Sequence, residues 1–172
     1  MKALSSTVTR EFTGHRIQVD TRLSFDDVRG RLGDLLGHTS IPEINAIAES
    51  AKSSTDYSRE VEKRFVSKSG FMLFAEINHS PWIGIFGIHR KVLHLILGNP
   101  LLAITMLRHD INAGLFVPVE LLLTDHFNGN GSSLIYVRPS SLIVIDNNPD
   151  LLAAAKVLDD KLEAFLMQAI NS

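Results

Sequence analysis

Two apolar runs, Val117-Pro118-Val119-Glu120-Leu121-Leu122-Leu123 and Ser133-Leu134-Ile135-Tyr136-Val137, flank the turn Phe127-Asn128-Gly129-Asn130-Gly131. Asn-Gly between apolar runs is the strongest short-range hairpin signal, because these residues tolerate the positive φ that tight turns demand. The stretch therefore predicts two antiparallel strands. Upstream, Phe71 to Ile77 reads as another strand. So does Val92 to Leu97, whose apolar residues on both faces predict burial inside a sheet. The Ile17/Val19 alternation within residues 9–20 suggests one more, half-buried.

Helical spacing fills the rest. Ser24 with Asp27 resembles a capping box ahead of the stripe Phe25, Val28, Leu32, Leu35 and Leu36, with Gly37 as its stop. Pro42 fits the first turn of a helix presenting Ile44, Ile47, Ala48 and Ala51. Tyr57, Val61 and Phe65, with Glu60 placed to pair with Arg64, predict a third helix over 55–69 ending near Gly70. Asn99-Pro100 opens a helix to about Arg108. Asn148-Pro149-Asp150 caps a final one with Leu151, Ala155, Leu158, Leu162, Phe165 and Ala169 on one face. Strands cluster in the second half rather than alternating with helices. The expectation is an α+β fold: an antiparallel or mixed sheet of about five strands with helices packed mainly on one face. No linker or repeat divides the chain, so residues 1–172 read as one domain, with an N-terminal strand and helices over 9–69 and a C-terminal helix over 148–171.

Composition narrows the partners. Asp and Glu number 19 against 17 Lys and Arg, a formal net charge of −2, and the densest basic cluster is only His89-Arg90-Lys91. Phosphate-backbone binding is driven by counterion release from a basic surface, so a nucleic-acid partner is not expected. The chain has no cysteine, which removes disulfides, thiolate metal sites and cysteine nucleophiles and suits a reducing cytoplasm. The start Met1-Lys2-Ala3-Leu4-Ser5-Ser6-Thr7 shows no apolar signal region. The longest uncharged run, Val92 to Leu107, is broken by His94, Gly98, Asn99 and Pro100, so no transmembrane segment is expected.

Over residues 70–138 the chain resembles the domain of unknown function 302 (DUF302) family. The resemblance rests on Gly70-Phe71-Met72-Leu73-Phe74-Ala75-Glu76-Ile77 with Asn78-His79, on Leu97-Gly98-Asn99-Pro100, on Val117-Pro118-Val119, and on Tyr136 after the Gly-rich turn. It implies a compact α+β fold, often a homodimer, with no agreed substrate or reaction. Two segments depart from the family pattern: Pro81-Trp82-Ile83-Gly84-Ile85-Phe86-Gly87-Ile88, where an Ala-rich helix is expected, and Arg108-His109-Asp110.

These segments supply the candidate ligand-binding residues, each with a plainer reading beside it. Asn99 stands at a helix N-terminus where free N–H groups attract anions, but it equally well just caps the helix. Arg108, His109 and Asp110 form a polar cluster that would grip a carboxylate or phosphate, although cations near a helix C-terminus also simply complement its dipole. Trp82 and Phe86, beside flexible glycines, suit a pocket wall or a subunit interface, and His79 adjoins them. His79, His94, His109, Glu76 and Asp110 lack metal-ligand spacing, so no metal site is expected, and His94 reads as a core histidine. No Gly-x-Ser-x-Gly elbow, P-loop or Gly-x-Gly-x-x-Gly is present, and no cofactor is implied. The leading expectation is a non-catalytic dimeric module for a small apolar or anionic ligand. The alternatives are an enzyme using His79, His109 or Asp110 in acid–base or metal chemistry, and a structural interaction protein.

Overall fold

The computed structural model describes residues 5–171, so Met1–Leu4 of the N-terminal stretch read above lie outside them. In chain order the elements are β1 (Arg16–Thr21), α1 (Phe25–Leu35), β2 (Gly37–His38), α2 (Ile41–Ser50), α3 (Ser54–Phe65), β3 (Met72–Asn78), α4 (Ser80–Ile85), β4 (Val92–Gly98), α5 (Pro100–Leu107), a 3-10 turn (Ile111–Leu115), β5 (Val119–Asp125), β6 (Ser132–Val137), α6 (Pro139–Ile143) and α7 (Pro149–Asn171). The strands form one six-stranded sheet in the order β1-β6-β5-β4-β3-β2. Every pairing is antiparallel except β2 with β3, which makes the sheet mixed.

The expected hairpin is present: Leu123 pairs with Leu134 and Leu121 with Tyr136, and the turn places Gly129 and Gly131 at positive φ. On one face Leu93, Leu95, Leu97, Leu121, Leu123 and Leu134 are buried against Val28 and Leu32 of α1 and the stripe Leu151, Ala155, Leu158, Leu162, Phe165 and Ala169 of α7. That stripe is the period read from the sequence, and it holds for the whole length of α7. A smaller cluster joins Ile44 and Ile47 of α2 to Val61 and Phe65 of α3 and to Met72.

Local signals placed the helix starts well. Ser24 Oγ accepts from Asp27 N at 3.1 Å, and Glu60 pairs with Arg64 at 2.9 Å. Several expectations are corrected. The sheet has six strands rather than about five, because the two-residue β2 carries no periodicity to detect. Helix α1 stops just before Gly37, which does not adopt the left-handed conformation there but begins β2 and lets the chain pass the Phe65 carbonyl. Helix α3 ends at Phe65, not near Gly70. Within the segment that departs from the family pattern, residues 80–85 form the short helix α4, in which Pro81 occupies the first turn. Ser140 and Ser141 lie in α6, where Ser140 Oγ donates to Asp159 at 2.5 Å. Among the described residues no helix is long and apolar enough to cross a membrane.

Candidate functional site

With α1 and α7 on one face and the α2–α3 hairpin meeting the other at Met72 and Phe74 of β3, the rest of that other face is left open, and antiparallel register dictates what it shows. Directly paired residues share a face, so one row across the sheet reads Gln18, Ile135, Leu122, His94, Ile77. The next row on that face contains Asp20, Ser133, Thr124 and Val92. Ile135, Leu122, Val92, Ile96 and Val137 are only half-buried. Strand β4 is therefore central in the sheet yet covered on one side alone, which corrects the reading of Val92–Leu97 as buried on both.

On this face a groove of about 590 Å³ runs beside β5 and β6. Leu122, Ile135 and Val137 form its floor, Leu115, Phe116 and Pro118 one wall, and Pro139 with Leu142 the end. Phe12, from the irregular segment before β1, braces the wall by meeting Phe116 edge-on at 6.1 Å between ring centres. Tyr136, paired with Leu121, turns its side chain to the helical face instead, where burial, helped by nearby Glu163, pushes the phenol above its ordinary range. The polar side chains at the groove are Arg16, Glu120 and His94. His94 Nε2 lies 3.3 Å from Glu120 Oε2. Arg16 has no acidic partner among the described residues. His94 is thus not a core histidine: it is a half-buried group on the open face with one nitrogen facing a carboxylate.

The seven residues proposed from sequence separate into three places. His79, Trp82 and Phe86 stay together and adjoin the open face: Trp82 Nε1 donates to His79 Nδ1 at 3.2 Å, Trp82 meets Phe86 edge-on, and the His79 ring stacks 6.2 Å from that of His94. Asn99 is elsewhere and occupied. Its Oδ1 accepts from Leu101 N at 2.8 Å, and its Nδ2 donates to the Gly70 carbonyl at 3.0 Å. Gly98 abuts Pro118 rather than opening an approach for an anion. Replacing Asn99 with Ala should therefore cost about 1–2 kcal/mol, one cap plus one half-buried hydrogen bond. An unchanged urea midpoint for Asn99→Ala would rule out that structural role. Arg108, His109 and Asp110 lie at the end of α5. There Arg108 Nε turns back to the Ile104 carbonyl at 3.3 Å, and Asp110 caps the 3-10 turn through Asn112 N at 2.9 Å. Among the described residues no three His, Asp or Glu side chains converge as metal ligands.

Sequence reasoning missed a polar corner where β1, β6 and the hairpin turn meet. Ser133 Oγ donates to Asp20 Oδ1 at 2.6 Å, His126 Nε2 is 3.1 Å from that hydroxyl, and His126 Nδ1 is 3.0 Å from the Asn130 carbonyl. The Ser133 hydroxyl, then Gln18, hold the Asp20 carboxyl below its ordinary range. Serine, histidine and aspartate are the residue types of a nucleophilic triad, but the wiring differs. A triad needs the acid to orient the imidazole and the imidazole to take the serine proton. Here the buried Ser133 donates its hydrogen bond to the acid, and imidazole Nδ1, which a triad acid would orient, faces a turn carbonyl. The cluster ties the turn to the edge strand.

Comparison with known proteins agrees with this architecture. A crystal structure of an uncharacterized conserved DUF302 protein from Bacillus stearothermophilus superposes with a TM-score of 0.62 over 90% of this chain and 97% of that one, at 17% sequence identity. At that identity the likeness speaks for the fold alone. No curated protein matches the chain. The family model described as domain of unknown function DUF302 matches residues 47–169. That span reaches beyond the 70–138 stretch carrying the resemblance, taking in most of the α2–α3 hairpin and nearly all of α7. The chain belongs to the DUF302 family.

Proposed function

We propose that the protein is a non-catalytic, cytoplasmic, homodimeric module that binds a small, mainly apolar molecule in the groove on the open face of its sheet. The observation carrying this reading is the groove itself: about 590 Å³ of half-enclosed space floored by Leu122, Ile135 and Val137, with polar groups only at Arg16, Glu120 and His94 and at backbone edges. Small-molecule sites have this size and this ratio of apolar wall to a few orienting polar groups. Dimerisation is supported by the exposed Trp82, Ile85, Phe86 and Ile88 next to the same face. The absence of cysteine is in keeping with a reducing compartment.

The test is native mass spectrometry of the purified protein, with metal analysis, on wild type and Leu122→Arg. An organic adduct on the wild type, lost or weakened at least about tenfold in the variant, is expected, because the substitution places an unpaired guanidinium on the apolar floor. An adduct unaffected by Leu122→Arg would move the site off this face. A second reading, an enzyme, is favoured by the His94–Glu120 pair in the groove, which has the chemistry of a proton-transfer couple. A stoichiometric metal, or turnover lost in His94→Gln with the adduct retained, would decide for that reading.

A further inference from the structure

Away from the groove, the α2–α3 hairpin and α5 leave a second cleft of about 850 Å³ that shares no lining residue with it. We propose that this cleft binds a small amphiphile, an apolar chain ending in a phosphate or carboxylate, whose head is held by Lys52 and Arg108.

The charge pattern carries the argument. Lys52 enters from the α2–α3 turn and Arg108 from the end of α5, and no Asp or Glu lines the cleft between them. Neither cation has an acidic partner among the described residues. Asp56 pairs with Arg59 at 2.7 Å, Asp110 caps the turn after α5, and Glu49, the acid on α2 before Lys52, does not line the cleft. In a chain whose formal charge is −2, the cleft is a local cationic site facing no carboxylate of its own. Arg108 is partly organised for the task. Its Nε donates to the Ile104 carbonyl, which orients the guanidinium and leaves the two terminal nitrogens for a forked contact with a planar or tetrahedral anion. The serines of the α3 start add hydroxyls along the same rim.

The remaining walls argue for a tail. Leu101, Ile104 and Leu107 face the cleft, and Ile104 is 47% exposed there. An inorganic anion would leave that surface wet, whereas an alkyl chain removes it from water. The size lies within the range of small-molecule clefts.

Titration calorimetry of the full chain with octyl phosphate, below its micelle concentration, tests the idea. The wild type is expected to bind. The double variant Lys52→Gln/Arg108→Gln is expected to bind about tenfold more weakly or worse, as losing charge-assisted hydrogen bonds requires. Both side chains are exposed, so the fold stays intact. Octanol and inorganic phosphate should each bind more weakly than the octyl ester, and Leu122→Arg should leave octyl phosphate binding unchanged. No heat with the wild type, full binding by the double variant, or equal binding of octanol or inorganic phosphate would each overturn the inference. So would loss of binding in Leu122→Arg, which would assign the ligand to the open face instead.

Discussion

Gly37→Ala is expected to lower folding stability by about 3 kcal/mol, with the shift read from the urea midpoint. A Cβ at Gly37 would lie 1.7 Å from the Phe65 carbonyl oxygen and 3.2 Å from the Ser67 nitrogen. Those are backbone atoms, so no rotamer change relieves the overlap. Either β2 or the end of α3 must move. Moving β2 breaks the Gly37 N–H bond to the Phe71 carbonyl at 2.9 Å and the pairing of Gly37 with Met72. Moving α3 displaces Phe65 from the cluster it makes with Ile44, Ile47, Val61 and Met72. The Ser67 hydroxyl, which donates to the Leu35 carbonyl at 2.6 Å, would be pulled with it. An unchanged midpoint would show that the segment yields freely and that the close approach is not a constraint.

Phe86→Glu is expected to convert the proposed dimer into a monomer, seen by sedimentation velocity at micromolar concentration. The side chains at issue are strongly exposed: Trp82 52%, Ile85 81%, Phe86 74% and Ile88 51%. Helix α4 turns only Ile83 inward, so its other apolar residues stand out beside the open face and Ile77. A contiguous apolar patch of this kind marks a contact surface, and two-fold dimers are the commonest oligomers. A carboxylate introduced at its centre would be buried without a partner. Central interface residues cost about 2–4 kcal/mol when removed, hence about thirty- to a thousandfold in Kd. A wild type that sediments as a monomer would falsify the dimer outright. A dimer that survives Phe86→Glu would place the contact elsewhere and leave α4 as a border of the groove.

The two predictions differ in how far the sequence reaches toward them. The apolar density of Trp82–Ile88 is visible in one dimension, and so is its interruption by Gly84 and Gly87. Its helical form is not. Six residues make under two turns, too few for a periodicity to register. The role of Gly37 is wholly non-local, because the atom that forbids a side chain belongs to a residue 28 positions later.

The same division runs through the molecule. What the sequence by itself determined are features written within a few residues of one another. The capping contacts of Ser24 and Asn99, the Asn128-Gly129 turn with its flanking strands, and the long apolar stripe of α7 each follow from local spacing and backbone preference. From these came the α+β class and the concentration of strands in the second half. What only the tertiary structure decided is which surfaces remain uncovered. Alternation along β4 and β5 says that two faces exist, but not that helices cover just one of them. That outcome depends on how α1 and α7 divide the sheet between them. It turned His94 from a core residue into a groove residue and brought Arg16 to the same groove as Glu120, 104 positions away. It also scattered the Arg108-His109-Asp110 cluster from His79 and Trp82. Apolar patterning records the propensity of a strand to be buried. Burial itself is a property of what packs against it, and that is settled only when distant segments meet.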